Sequence, residues 1–388
     1  MKSVQSTEKI CQKLASLTST KPEDWHLCLK ARYGMAVVFN AIAKVEGKGE
    51  IITTPYTCAT AVNPILVSRL TPIYADLDTS NLSIVDPKKL INKNTRGIVM
   101  QHTLGIIGKK TPLKTLTELR KLVLIEDSAH CLGRLALDSK GKPIADISIH
   151  SFGVEKVLNN TKFGAAIYIN PELAKTKPKL YEKITTDFKN LKKPNVFTGG
   201  RLRIYRLTNG ILQRLPGGVK RGVRKFTVSA KILEPPISPE EQTGKQHTPL
   251  GTNDFVNQKI LAALPSLPKN YLRRLETTNH YKAKLKGAKN LKSLTSVSEP
   301  LLAYPILLPT PEKADQLYSA LTASGFFIRR WYSPLFFPGA KTNRAYKYDP
   351  DTCPIAEATH PQVLCLPTDI SKKKANQIIA IINPRAGA

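Results

Sequence analysis

The sequence predicts an α/β fold in which helices cover a mostly parallel sheet, followed by a smaller α+β domain. Short apolar runs alternate with amphipathic stretches from Asp24 to Pro171, a pattern typical of strand–helix–strand units. Several runs are apolar at consecutive positions, as in strands that are buried on both faces. After residue 300 the pattern changes to an apolar run, one helix, a loop-rich stretch and a closing helix.

The predicted elements follow one another in a regular order. The predicted strands are residues 50–53, 72–75, 97–100, 122–125, 147–151 and 165–169. Three segments between them, 36–43, 59–68 and 113–120, carry apolar residues three and four positions apart, which predicts helices. We therefore expect residues 1–250 to form a large domain. Residues 251–388 are expected to form a helical connection and the small C-terminal domain.

Composition excludes several classes of protein. With 41% hydrophobic residues, the chain of 388 residues has enough apolar material for a sizeable core and is not wholly disordered. Six cysteines without a CxxC pair do not form the framework of a small disulfide-rich domain. No stretch reaches the roughly 18 apolar residues that span a bilayer. We expect a cytoplasmic protein with reduced thiols.

The positive charge is concentrated in one segment. The chain has 59 Lys and Arg against 29 Asp and Glu, a formal charge of +30. Residues 191–231 contain 11 Lys or Arg and no acidic residue, interleaved with apolar residues. Two interpretations stay open: a peripheral contact with an anionic membrane, or a solvated basic insertion. No nucleic-acid-binding signature is present, so no specific nucleic acid partner is expected.

Two groups at strand ends carry the clearest chemical signal. Asp127 closes the run VLIED, and Lys156 follows the run ISIHSF. Because parallel strands open their carboxyl ends onto one edge, both side chains are expected to face one crevice. An amine that forms a Schiff base and a carboxylate beside the pyridine nitrogen are what pyridoxal phosphate requires. A metal site is not expected, because Glu126, Asp127 and His130 have no second cluster of ligands.

Several motifs resemble the DegT/DnrJ/StrS family of pyridoxal phosphate-dependent sugar aminotransferases, which have fold type I. They are IEDSAHCLG at 125–133, SFGVEK at 151–156, VMQHTLG at 99–105 and RRWYSPLF at 329–336. The resemblance covers residues 30–175 and 250–385 and leaves the basic segment outside. It implies that Lys156 forms the Schiff base and that Asp127 contacts the pyridine nitrogen.

The resemblance also implies roles for five further residues. His130 would lie near the phenolic oxygen of the cofactor, and Ser151 would bind its phosphate. Gly34 and Met35 would occupy a phosphate-binding turn at a helix start, where backbone N–H groups favour an anion. Asn253 would reach the phosphate in a neighbouring subunit, which implies a homodimer.

Two positions depart from the family pattern. Met35 lacks the hydroxyl of the threonine that often follows the glycine of the phosphate turn. Cys58 stands where an aromatic ring is expected to stack on the cofactor, and Tyr56 is the candidate to replace that ring.

The resemblance predicts a cytoplasmic aminotransferase that moves an amino group from glutamate to a keto sugar attached to a nucleotide. An alternative is a catalytically impaired relative that acts as a scaffold at a membrane surface through the basic segment. A dehydrating relative is disfavoured, because such relatives have histidine in place of Lys156.

Overall fold

A computed structural model describes most of the chain. The described residues are 2–107, 111–158, 160–213, 248–288, 291–294, 298–339 and 343–383, with six single positions between 214 and 247. Most of the basic segment after residue 213, together with its expected membrane contact, lies outside the described residues. Among the described helices, none is both long and apolar enough to cross a membrane.

A seven-stranded sheet forms the centre of the larger layer. Its order is β1-β9-β8-β7-β6-β2-β3. The bounds are β1 Trp25–Cys28, β2 Glu50–Thr53, β3 Thr71–Tyr74, β6 Thr95–Gln101, β7 Val123–Ser128, β8 Ile147–Ser151 and β9 Ala165–Ile169. Strands β3, β2, β6, β7 and β8 run parallel, whereas β9 is antiparallel to β8 and β1 is antiparallel to β9. A small two-stranded sheet pairs β4 Leu77–Asp78 with β5 Ser83–Ile84.

The observed sheet confirms the predicted fold class and all six predicted strands. Strand β1 was not predicted, because its four residues WHLC are not part of a continuous apolar run. Its burial comes from pairing with β9, where Trp25 lies opposite Tyr168. Central strands β7, β8 and β9 are buried along their whole length, which explains their apolar composition.

Helices pack on the large sheet and on the strands of the C-terminal part. They are α1 Lys2–Thr18, α2 Ala31–Val45, α3 Ala59–Val67, α4 Thr111–Leu119, α5 Glu172–Thr176, α6 Pro178–Lys189, α7 Val196–Gln213, α8 Asp254–Ala263, α9 Leu267–Lys284, α10 Pro311–Ala323, α11 Pro354–Thr359 and α12 Lys372–Ile382. Helix α2 begins five residues before the predicted segment 36–43. It starts after Lys30, whose extended backbone ends the preceding loop.

The C-terminal part forms a second core around an antiparallel sheet. Strands β10 Lys292–Ser293, β11 Ala303–Leu307 and β12 Val363–Pro367 pair in that order. The apolar cluster around Tyr304, Leu366 and Ile378 also contains Tyr56 and Leu104, which follow strands of the large sheet. The second core therefore packs directly beside the carboxyl ends of the parallel strands.

Candidate active site

A cavity of about 270 Å³ lies where the parallel strands end. It is lined by residues at the ends of three neighbouring strands: Gln101 of β6, Asp127 of β7 and Ser151 of β8. Lys156 lines it as well. The two groups that the sequence predicted to face one crevice are thus brought to the same cavity. Ligands of open α/β sheets bind at this edge.

Asp127 presents a buried carboxylate to the cavity. Its side chain is 6% exposed, and one oxygen accepts the backbone N–H of Ala129 at 3.0 Å. Burial raises the pKa of this carboxyl above its ordinary value, while the charge of Lys156 opposes the rise. A buried anion of this kind is stabilised by a cationic partner, such as a protonated ring nitrogen.

Lys156 presents an amine that is easier to deprotonate than an ordinary lysine. Burial lowers its pKa, and the negative charges of Asp127 and Glu155 oppose that change. Its Nζ lies 5.4 Å from the centre of the Trp331 ring. A lowered pKa increases the fraction of neutral amine, which is the nucleophilic form.

His130 lines the cavity as predicted, but both of its ring nitrogens have protein partners. Nδ1 accepts the backbone N–H of Leu104 at 2.9 Å, and Nε2 lies 3.1 Å from the hydroxyl of Tyr332. The ring also stacks on Trp331, with centres 5.2 Å apart and planes 14° apart. Burial, followed by the charges of Lys156 and Arg329, lowers the pKa of His130 well below its ordinary value. The imidazole is therefore neutral.

Ser151 lies on the cavity wall beside a backbone turn. Its Oγ accepts the N–H of Gly153 at 3.1 Å, so the hydroxyl hydrogen can be donated to another group. The position agrees with the expected contact to a phosphate, which stays a prediction.

Gly34 and Met35, the residues of the predicted phosphate turn, lie close to the start of helix α2, which begins at Ala31. The N–H of Gly34 donates to the carbonyl of Lys30 at 3.3 Å, within the first turn. A Cβ at Gly34 would come within 2.4 Å of Ile167 Cδ1, so this glycine permits close packing of the helix on β9. Met35 does line the cavity. The helix begins about three residues before Gly34, and the contact of Gly34 and Met35 with a phosphate stays a prediction.

Besides Lys156, three cationic side chains line the cavity. Lys30 precedes the helix, Arg32 lies in its first turn, and Lys162 reaches the same cavity from the loop before β9. A phosphate group bound in this cavity would lie in a positively charged environment, which favours an anion.

Asn253 does not line the cavity of its own chain. It caps helix α8, where its Oδ1 accepts the N–H of Val256 at 3.0 Å. The expected contact with the cofactor of a neighbouring subunit stays a prediction.

The sequence argument missed two aromatic residues that the second core brings to the cavity. Trp331 and Tyr332 both line it, more than 170 positions after Lys156 in the chain. Tyr56, the expected substitute for the missing ring at Cys58, is fully buried and donates its hydroxyl hydrogen to the carbonyl of Trp331. Tyr56 therefore holds the backbone of Trp331 in place and does not itself line the cavity. The motif RRWYSPLF contained both residues, and its adjacent aromatic side chains were the available signal.

A second polar cluster, His102 and Glu126, adjoins Asp127, and His102 also lines the cavity. Since side chains alternate along a strand, Glu126 points away from the Asp127 side. Nε2 of His102 lies 2.5 Å from Oε1 of Glu126, which also accepts the N–H of Ala136 at 2.7 Å. Burial would raise the pKa of Glu126, but His102 outweighs it and the pKa is lowered. The cluster holds the ends of β6 and β7 together.

The residues of the cavity fit pyridoxal phosphate. An amine with a lowered pKa and a buried carboxylate suit its aldehyde and its pyridine nitrogen, and a serine hydroxyl with three cavity-lining cations suits its phosphate. No group of three His, Cys, Asp or Glu side chains suited to a metal ion occurs within the described part of the chain.

Comparisons with known proteins agree with this arrangement. The profile of the DegT/DnrJ/EryC1/StrS aminotransferase family matches residues 31–203 and 253–383. A UDP-4-amino-4,6-dideoxy-N-acetyl-beta-L-altrosamine transaminase of Helicobacter pylori is 31% identical over 127 residues, 32% of this chain and 34% of the relative. GDP-perosamine synthase of Vibrio cholerae is 28% identical over 133 residues, 34% of this chain and 36% of the relative.

These sequence matches span about a third of the length of each relative. In structure, the chain is similar to a putative sugar aminotransferase of Streptococcus pneumoniae in its PMP form, with a TM-score of 0.72 and 17% identity. That similarity covers 98% of this chain and 92% of the other, and it concerns the fold.

Proposed function

Because the chain belongs to the DegT/DnrJ/EryC1/StrS aminotransferase family, we propose that it uses pyridoxal phosphate to transfer an amino group from glutamate to a nucleotide-linked keto sugar. One observation carries the proposal: Lys156 and Asp127 line a single cavity at the carboxyl ends of the parallel strands. When bound, the cofactor supplies an electron sink for the carbon that loses a proton.

The residues of the chain have distinct tasks in this proposal. Asp127 holds a positive charge on the ring nitrogen. Nζ of Lys156 holds the cofactor covalently and, as a free amine, carries a proton to and from the reacting carbon. Ser151 and the cations at the start of α2 fix the phosphate end. The apolar cores on both sides exclude water from the reacting groups.

The substrate class follows from the relatives and from charge. Two relatives bear the names of enzymes for nucleotide-linked amino sugars, one with GDP and one with UDP. A nucleoside diphosphate carries negative charge, and the cavity contains Lys30, Arg32 and Lys162 as well as Lys156. The formal charge of +30 favours the approach of such an anion.

Borohydride trapping tests the covalent role of Lys156. The protein is incubated with pyridoxal phosphate, reduced and digested, and the modified peptide is identified by mass spectrometry. We expect modification at Lys156, and loss of both the label and the visible absorbance band in Lys156→Ala. Lys162 lines the same cavity and is the internal control. Preferential labelling of Lys162, or a normal band in Lys156→Ala, would contradict the proposal.

Conversion assays test the reaction itself. Glutamate should convert the loaded protein to its amine form with release of 2-oxoglutarate, and a nucleotide-linked keto sugar should reverse that change. Keto sugars without the nucleotide serve as the comparison. Failure of all amino donors with a correctly loaded protein would refute transamination.

The homodimer forms the second part of the proposal. Asn253 does not line its own cavity, so a cofactor contact of this residue requires a neighbouring subunit. Asn253→Ser keeps a capping oxygen and removes the amide. Mixed with the inactive Lys156→Ala chain under conditions of subunit exchange, it should give heterodimers with one complete site and restored activity. No gain on mixing would contradict a contribution in trans.

A further inference from the structure

Tyr332 lines the same cavity as Lys156, and its hydroxyl contacts His130. We propose that the Tyr332 hydroxyl donates a hydrogen bond to the phenolic oxygen of pyridoxal phosphate, and that His130 acts behind it as a positioning residue. This inference rests on the proposed function and assigns the contact that the resemblance gave to His130 to a residue of the second core.

Hydrogen-bond directions at His130 determine what Tyr332 can do. The backbone N–H of Leu104 donates to Nδ1, so a neutral imidazole carries its hydrogen on Nε2. That N–H therefore donates to the Tyr332 oxygen, 3.1 Å away. The hydrogen of the Tyr332 hydroxyl is not used in this contact. Within the described residues, no acceptor for it is found.

Both partners stay neutral in the conditions under which the site would work. Burial and the charges of Lys156 and Arg329 lower the pKa of His130. Burial, followed by Cys58 and Asp127, raises the pKa of Tyr332 well above its ordinary value. Neither group can take the hydrogen away from the other, so the direction from His130 to Tyr332 to the cavity is fixed.

The surrounding residues restrict where the tyrosine hydroxyl points. The planes of His130 and Tyr332 are 14° apart, and Trp331 stacks on both rings. The Tyr56 ring meets Tyr332 edge-on, with centres 5.7 Å apart. Tyr332 is 5% exposed and is one of the residues that line the cavity.

The covalent structure of the cofactor places its phenolic oxygen next to the aldehyde carbon that Lys156 would hold. The aldehyde carbon and the phenolic oxygen are on adjacent ring carbons, and the ring nitrogen is on the far side of the ring. With the aldehyde carbon at Lys156 and the nitrogen at Asp127, the phenolic oxygen lies near Lys156. A neutral donor there stabilises a phenolate, because hydrogen bonds to an ionised acceptor are the stronger ones.

The measurable consequence is the proton affinity of the lysine-bound cofactor. A donor to the phenolate competes with the imine proton and lowers the pH at which that proton is lost. Tyr332→Phe should therefore raise the midpoint of the spectral pH titration by about one unit, or about 1.4 kcal/mol. Lys156, Asp127, Cys58, Glu155 and Arg329 also act electrostatically on this region, and all stay unchanged in the variant.

The experiment compares five cofactor-loaded proteins by visible absorbance across pH: the parent, Tyr332→Phe, His130→Gln, the double variant and Tyr56→Phe. We expect His130→Gln to shift the midpoint less than Tyr332→Phe, and the double variant to match Tyr332→Phe. Tyr56→Phe is the matched control, because Tyr56 touches Tyr332 and does not line the cavity. It should titrate like the parent.

Circular dichroism and binding of pyridoxamine phosphate confirm that each variant is folded. A parent-like midpoint in folded Tyr332→Phe would overturn the inference. A shift in His130→Gln alone would return the contact to His130. Absence of the absorbance band from the parent protein would remove the proposed function and this inference with it, whereas a normal band with an unshifted Tyr332→Phe removes the inference alone.

Discussion

Replacing Gly164 by alanine should destabilise the fold next to the cavity. Gly164 has φ +106°, a conformation that L side chains rarely adopt. Its N–H donates to the carbonyl of Leu29 at 2.7 Å, and its carbonyl accepts the N–H of Phe152 at 2.9 Å. The residue thus ties the loop before α2 to the end of β8 while lining the cavity.

Two penalties add in this variant. The backbone conformation costs about 1–3 kcal/mol for a residue with a Cβ. The new methyl group would also lie 2.6 Å from Cδ1 of Ile260, which is fully buried, and overpacking of this kind costs about 1–3 kcal/mol. Lower entropy of the unfolded chain offsets about 0.4–1 kcal/mol. The expected net loss in the free energy of unfolding is about 2–5 kcal/mol.

Gly141→Ala separates the two penalties. Gly141 has φ +75°, but a Cβ there would meet no atom within 4 Å. Its substitution carries the backbone cost without the packing cost. Urea denaturation of both variants measures the difference, provided that the slope with denaturant stays constant. If Gly164→Ala lowers the free energy of unfolding no more than Gly141→Ala does, the close approach of Gly164 to Ile260 is contradicted.

Two further predictions concern buried carboxyl groups. Asp127→Asn keeps an acceptor for the N–H of Ala129 and removes the charge, so the amine-transfer half-reaction should slow by about 100-fold while thermal stability is kept. Stopped-flow absorbance measures the rate, and thermal melts measure the stability. An unchanged rate would contradict the electronic role of Asp127. Burial raises the pKa of Asp146 to about 6, so the folded protein binds a proton more tightly than the unfolded chain. The stabilisation is complete below the unfolded pKa and is lost as pH rises through about 6. Asp146→Asn should therefore be more stable than the parent at pH about 8, by up to about 3 kcal/mol, and the gain should vanish near pH about 4. Urea denaturation at both pH values checks this, and an equal gain at each would contradict it.

The sequence was sufficient for the parts of the fold that depend on local composition. Runs such as 147–151 and 165–169 are apolar throughout because they lie in the middle of the sheet, and both were predicted as strands. Composition does not distinguish parallel from antiparallel neighbours, so the reversed direction of β9 had no local signal. Strand β1 depends on that reversal, since it pairs only with β9 in the described part of the sheet.

The candidate site shows the same division. Asp127 and Lys156 could be predicted to meet because strand ends of a parallel sheet share an edge. That rule could not place Trp331 and Tyr332, because they lie more than 170 positions after Lys156 in the sequence. They reach the cavity through the packing of the second core. The close packing of Gly34 on Ile167 could not be predicted either, because it involves a strand that is distant in sequence.

A crystal structure of the protein with pyridoxal phosphate tests the central claim most directly. The account predicts continuous density between Nζ of Lys156 and the aldehyde carbon, with the Asp127 carboxylate within hydrogen-bond distance of the ring nitrogen. A cofactor bound to another lysine, or a ring nitrogen that faces away from Asp127, would contradict it.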